Sequence, residues 1–105
     1  MHDSIALGTV EEFEVGKARS VEVGGHRIAI VRIGDDFYAI GDKCSHADYA
    51  LSEGEVYSQE KELECWKHGS TFSLVTGKPT TLPATRAVPV YDVHVEDGKL
   101  WVTIK

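Results

Sequence analysis

The chain has 105 residues, 42% hydrophobic and 27% charged, with a net charge of −6. That size and composition suit one small domain, residues 1–105, and the acidic balance argues against nucleic acid or an anionic membrane as partner, since both select a basic surface. No apolar run approaches the roughly 20 residues of a membrane helix, and "MHDSIALGTVEEF" lacks the basic start and apolar stretch of a signal peptide, so a cytoplasmic monomer is expected.

The first element is short. "TVEEFEV" predicts a single helical turn, with Thr9 as N-cap and Glu12 three residues later completing a capping box. "ARSVEV", Gly24-Gly25 and "HRIAIVRI" predict a β-hairpin, because paired glycines supply the positive φ of a tight turn. "GDD" at 34–36 marks another turn, leading into "FYAI". Residues 41–84 are polar and turn-rich, and carry both cysteines. They read as an insertion resting on the flanking strands. In "VYDVHV", Tyr91, Val93 and Val95 are expected on one face and Asp92, His94 and Glu96 on the other. "EDGK" turns the chain into "LWVTI", with Leu100, Val102 and Ile104 facing inward and Trp101 packing on the opposite face. Short strands at regular spacing predict an all-β, antiparallel sandwich or barrel.

Chemistry concentrates in the insertion. Cys44-x-His46 is followed, 18 residues later, by Cys65-x-x-His68. Thiolates and imidazoles are ligands for zinc, copper and iron, and cysteines of a cytosolic chain more often bind metal or do redox work than form a disulfide. Zinc sites of two cysteines and two histidines usually pair like with like, whereas both pairs here are mixed. A mixed structural zinc site stays open on this ground alone. His2, His26 and His94 have no cysteine or carboxylate cluster around them in sequence and read as surface or strand residues.

The paired motif resembles that of Rieske-type 2Fe-2S proteins, in which two histidines replace two cysteines on one iron. The resemblance extends to Gly69, Ser70 and Phe72 after the second pair, to "LPA" at 82–84, and to "LSEGEV" and the closing strands. In these flanks the chain is similar to ferredoxins of bacterial aromatic-ring dioxygenases. It implies a Rieske-type sandwich or incomplete barrel with an inserted cluster-binding subdomain of two ligand loops, at about 41–84. One 2Fe-2S cluster would be held by Cys44 and Cys65 on one iron and His46 and His68 on the other. Ser70, Phe72 and Pro83 would stand around it, and Trp66, between the ligands of the second pair, reads either as a residue tuning solvent access to the cluster or as ordinary packing.

The same resemblance implies a function. The chain would be a one-electron carrier, not an enzyme, between an NAD(P)H-linked flavin-dependent ferredoxin reductase and a terminal oxygenase. The small subunit of assimilatory nitrite reductase is the alternative. High-potential relatives carry two further cysteines where Tyr49 and Lys67 stand, and a sulfur-directed tyrosine where Phe72 stands. Fewer donors to sulfur stabilise the reduced centre less, so a low potential is expected. Between the ligand pairs lie six acids (Asp48, Glu53, Glu55, Glu60, Glu62, Glu64) and one base, Lys61. They read either as a solvated hairpin face or as a docking surface for a basic partner.

Overall fold

Gly24 and Gly25 adopt φ of 54° and 81°, so the predicted hairpin forms with the tight turn that matches strand twist. In the computed structural model, which describes residues 3–42, 51–65, 70–80 and 87–104, that hairpin joins β2 (Ala18–Val23) to β3 (His26–Ile33). Before it stands β1 (Asp3–Thr9), and after it come β4 (Asp36–Gly41), β5 (Val56–Tyr57), β6 (Glu62–Glu64), β7 (Thr71–Ser73), β8 (Val90–Glu96) and β9 (Lys99–Ile104). Six of these form a nearly closed antiparallel sheet, in the order β1-β9-β8-β4-β3-β2. The insertion contributes a second, three-stranded sheet, β5-β6-β7. This is the expected all-β architecture. No helix among the described residues is long and apolar enough to cross a membrane.

The run "IAIV" in β3 does not alternate in polarity because both faces of the strand are buried. Ile28 and Ile30 pack inside the large sheet with Phe13, Ala39, Leu100 and Val102. Ala29 and Val31 point the other way and join Ile40, Leu51, Leu63, Cys65, Phe72, Leu74 and Val88. β3 and β4 thus separate two cores, and the second core cements the small sheet to the large one. Arg32 secures the chain between β1 and β2, its Nη1 donating to Val10 O at 2.9 Å and Phe13 O at 3.1 Å.

The closing hairpin follows the expected alternation with one departure. Leu100 and Val102 are fully buried and Tyr91 and Val93 are half-buried, but Val95 is 50% exposed. β8 pairs with β4 only at Tyr91 and Val90, opposite Ala39 and Ile40. Beyond that point no further β4–β8 pairing occurs among the described residues, and Val95 stays open. On the outer face, His94 stacks on Trp101 with ring centroids 6.2 Å apart.

The predicted N-terminal turn is a 3-10 helix, Val10–Glu12. Glu12 Oε2 accepts from the Thr9 N–H at 2.7 Å and from the Thr9 hydroxyl at 3.2 Å. These bonds hold the Glu12 carboxyl below its ordinary value of 4.5, the backbone bond contributing most. A depressed carboxyl stabilises the fold above its unfolded pKa, and that contribution disappears as pH falls through the folded value. Glu12→Gln is therefore expected to melt lower than wild type at neutral pH, with the two melting curves converging at acid pH. A parallel offset at every pH would contradict this assignment.

Candidate metal centre

The three segments 43–50, 66–69 and 81–86 lie outside the described residues, and with them Cys44, His46, His68, Trp66 and Pro83, as well as Tyr49 and Lys67. Their end points are described, and these define the site.

Segment 66–69 connects β6 to β7, which pair as an antiparallel hairpin. Glu62, Leu63 and Glu64 pair with Ser73, Phe72 and Thr71. One residue further, the Cys65 N–H donates to Ser70 O at 2.6 Å. Cys65 therefore sits on the last rung before that segment, fully buried and with a free thiol. Its neighbours in the core include Ile40, Leu51, Leu63 and Phe72. Ser70 and Phe72, on the returning side, are also fully buried.

The 43–50 segment leaves the end of β4 and returns at a 3-10 turn, Leu51–Glu53. Its ends are joined by Asp42, whose Oδ1 accepts from the Ser52 N–H at 2.7 Å and whose Oδ2 accepts from the Ser52 hydroxyl at 3.0 Å. The 81–86 segment begins after Thr80, whose N–H donates to Thr71 O at 2.7 Å and whose hydroxyl contacts that of Thr71. It returns through Val88, whose N–H donates to Gly77 O at 2.8 Å.

Each segment end is also tied to the next segment. The Glu64 N–H donates to Glu55 O at 2.9 Å, linking the return of the first to the start of the second. The Thr71–Thr80 contacts link the second to the third. The Gly41 N–H donates to Pro89 O at 2.8 Å, linking the third back to the first. Hydrogen bonds thus link the stretches flanking all three segments to one another, with Cys65 among the bonded residues. Gly54 is essential to one link, because a Cβ built there would stand 1.5 Å from Glu64 O and 2.7 Å from Glu64 C.

The residues present fit a thiolate-ligated metal centre. A cysteine at a loop base, free of disulfide and enclosed by apolar side chains, offers a soft ligand where water is excluded. Among the described residues no group of three or more His, Cys, Asp and Glu forms a metal site. Three of the four expected ligands, Cys44, His46 and His68, fall in 43–50 and 66–69, outside the described residues; Cys65 is the one that is described. Sequence reasoning missed Asp42, Ser52, Gly54 and the Thr71–Thr80 pair, which stand outside the Cys and His pattern. The one local signal was an acid two residues ahead of Cys44.

Of the intervening acids, Glu53, Glu55 and Glu60 are exposed, while Glu62 and Glu64 are half-buried. Tyr57 donates to Glu64 Oε2 at 2.8 Å. That bond, with burial and the charges of Glu64, Glu55 and Glu60, pushes the Tyr57 phenol above its ordinary value. Glu53, Glu55 and Glu64 border an open cleft of about 610 Å³ that Lys17 also lines.

Comparison with known proteins identifies the family. The family described as "Rieske [2Fe-2S] domain" matches residues 3–92. The 3-phenylpropionate/cinnamic acid dioxygenase ferredoxin subunit of Escherichia coli (strain K12) is 42% identical over 77 residues, 73% of this chain and 72% of that protein. Its counterpart in Photorhabdus laumondii is 40% identical over 96 residues, 91% of this chain and 90% of that protein. Among solved structures, the ferredoxin of carbazole 1,9a-dioxygenase from Nocardioides aromaticivorans IC177 superposes with a TM-score of 0.94 at 34% identity, covering 97% of this chain and 98% of that one.

Proposed function

The chain belongs to the Rieske [2Fe-2S] domain family, and on that premise we propose that it is the ferredoxin of an aromatic-ring dioxygenase system. It carries one Rieske-type 2Fe-2S cluster, which supplies a one-electron couple. In this reading the protein carries single electrons from an NAD(P)H-linked flavin-dependent reductase to a terminal oxygenase and catalyses nothing alone. It works as a cytoplasmic monomer of one domain, 1–105, with the cluster-binding part at about 41–84.

The chain's own residues have distinct tasks. Cys44 and Cys65 hold one iron, and His46 and His68 hold the other. Ser70, Phe72, Trp66 and Pro83 border the centre and exclude water. Phe72 is fully buried and has no hydroxyl to donate to sulfur, which supports a potential in the lower part of the Rieske range.

The observation that carries this reading is the buried, free Cys65 at one of the hydrogen-bonded segment ends that flank the Cys and His pairs. Likeness over nearly the whole chain to dioxygenase ferredoxins supports the same conclusion. A structure of a carbazole 1,9a-dioxygenase ferredoxin together with its oxygenase, at 34% identity and a TM-score of 0.86, favours an oxygenase as acceptor. The nitrite reductase alternative has less support. A Mycobacterium tuberculosis protein described as a putative small subunit shares the fold, with a TM-score of 0.90, but only 19% identity. The zinc reading gives way to membership of an iron-sulfur family.

Reconstitution tests the proposal. Mixed with an NAD(P)H-linked flavin reductase and an aromatic-ring oxygenase, the protein is expected to make product formation dependent on its presence. The rate is expected to fall as ionic strength rises past about 0.1 M, where the screening length shortens to about 10 Å. A rate flat in salt removes the acids of 47–64 as the docking face. Support of nitrite reduction without oxygenase turnover would favour the alternative.

A further inference from the structure

We propose that Asp42 is a positioning residue that sets the first ligand-bearing segment in place and helps to hold the potential of the centre low. The proposal rests on the reading that 43–50 carries Cys44 and His46. Asp42 is 1% exposed, although acids are rarely buried unless paired. Its backbone is fixed first, the N–H donating to Arg27 O at 3.0 Å. Its two carboxylate oxygens then take both donors of Ser52, one each. Arg27 Nη2 lies 3.6 Å from Oδ2, with its own side chain largely in solvent. The anchor on the far side is firm, because Leu51, next to Ser52, is fully buried in the core that contains Cys65.

One carboxylate therefore closes residues 43–51 into a loop without using any ligand side chain. Closing such a loop costs conformational entropy, and a closure already made before metal binds spares the ligands that cost. An apolar residue would fill the same space without the penalty of burying a charge. An acid here therefore points to the bonds it makes. Its charge has a second consequence. Two residues of chain separate Cα atoms by at most about 7 Å, so covalent geometry alone keeps the Asp42 carboxylate in the neighbourhood of the chain position that bears Cys44. That charge opposes addition of an electron nearby and keeps the midpoint potential down.

The test compares cluster-loaded wild type with Asp42→Asn, Ser52→Ala and Ser52→Thr. Three properties are read: cluster loss to an iron chelator, midpoint potential, and melting of the apo forms. Asp42→Asn is expected to lose its cluster at least about tenfold faster, as befits a charged hydrogen bond, and to titrate at a higher potential. Ser52→Ala should lie between, at an unchanged potential, and Ser52→Thr, which keeps both donors, should match wild type. If Asp42→Asn does not fold, the Ser52 pair still decides the loop-closure claim. The proposal is overturned if cluster loss and potential in Asp42→Asn equal those of wild type. It is also overturned if cluster loss across the variants merely follows the melting of the apo forms. A wild-type protein that binds no 2Fe-2S cluster would instead contradict the functional reading itself.

Discussion

Cys65→Ala is expected to yield a colourless protein without iron or labile sulfide. The thiol is free, fully buried and placed on the last backbone rung before segment 66–69. No other described side chain offers sulfur, and alanine has no lone pair to give. The substitution separates two roles of the residue. Cys65 also fills space beside Leu51, Leu63 and Phe72, and deleting its sulfur from that core should cost about 1–2 kcal/mol. Apo wild type and apo Cys65→Ala should thus differ only modestly in melting temperature, whereas the loaded wild type stands well above both, because metal binding adds to folding free energy. Retention of iron by the variant, measured by metal analysis, would take Cys65 out of the ligand set.

Gly54→Ala is expected to damage the site from outside it. Its Cβ would overlap Glu64 O at 1.5 Å and press Leu51 O at 3.2 Å. The obstacle is backbone rather than a movable side chain tip, so the 3-10 turn or β6 must shift. The Gly54 N–H to Leu51 O bond and the Glu64 N–H to Glu55 O bond, both 2.9 Å, lie on that path. Overpacking on backbone at this distance belongs with the severe single substitutions, roughly 4 kcal/mol or more. The measurable result is a protein that expresses without colour, or one that loads cluster only at low temperature. Wild-type cluster content and stability would show that the close approach is not required.

How much was legible follows from the range of each contact. The hairpins were readable because Gly24-Gly25 and Asp97-Gly98 announce tight turns between β-branched runs. The capping box was readable because Thr9 and Glu12 are three residues apart. What covers the two faces of β3 was hidden, since a run such as "IAIV" says only that both faces are covered and not by what. Val95 obeyed the alternation of its strand yet stayed exposed, because exposure depends on where β8 parts from β4. At the site, the four candidate ligands were picked out by residue chemistry and spacing, and of them only Cys65 lies among the described residues, buried and free. Asp42 with Ser52, Gly54 against Glu64, and Thr71 with Thr80 stayed invisible. Their residue types are ordinary in loops, and only the fold brings each pair together.

The most direct test of the functional claim is an EPR-monitored redox titration of the purified protein. A single rhombic signal is expected on reduction, rising with a one-electron dependence and a midpoint below about +100 mV, in the lower part of the Rieske range. A midpoint above that value would contradict the low-potential assignment. A colourless, EPR-silent protein that holds zinc would contradict the electron-carrier reading altogether.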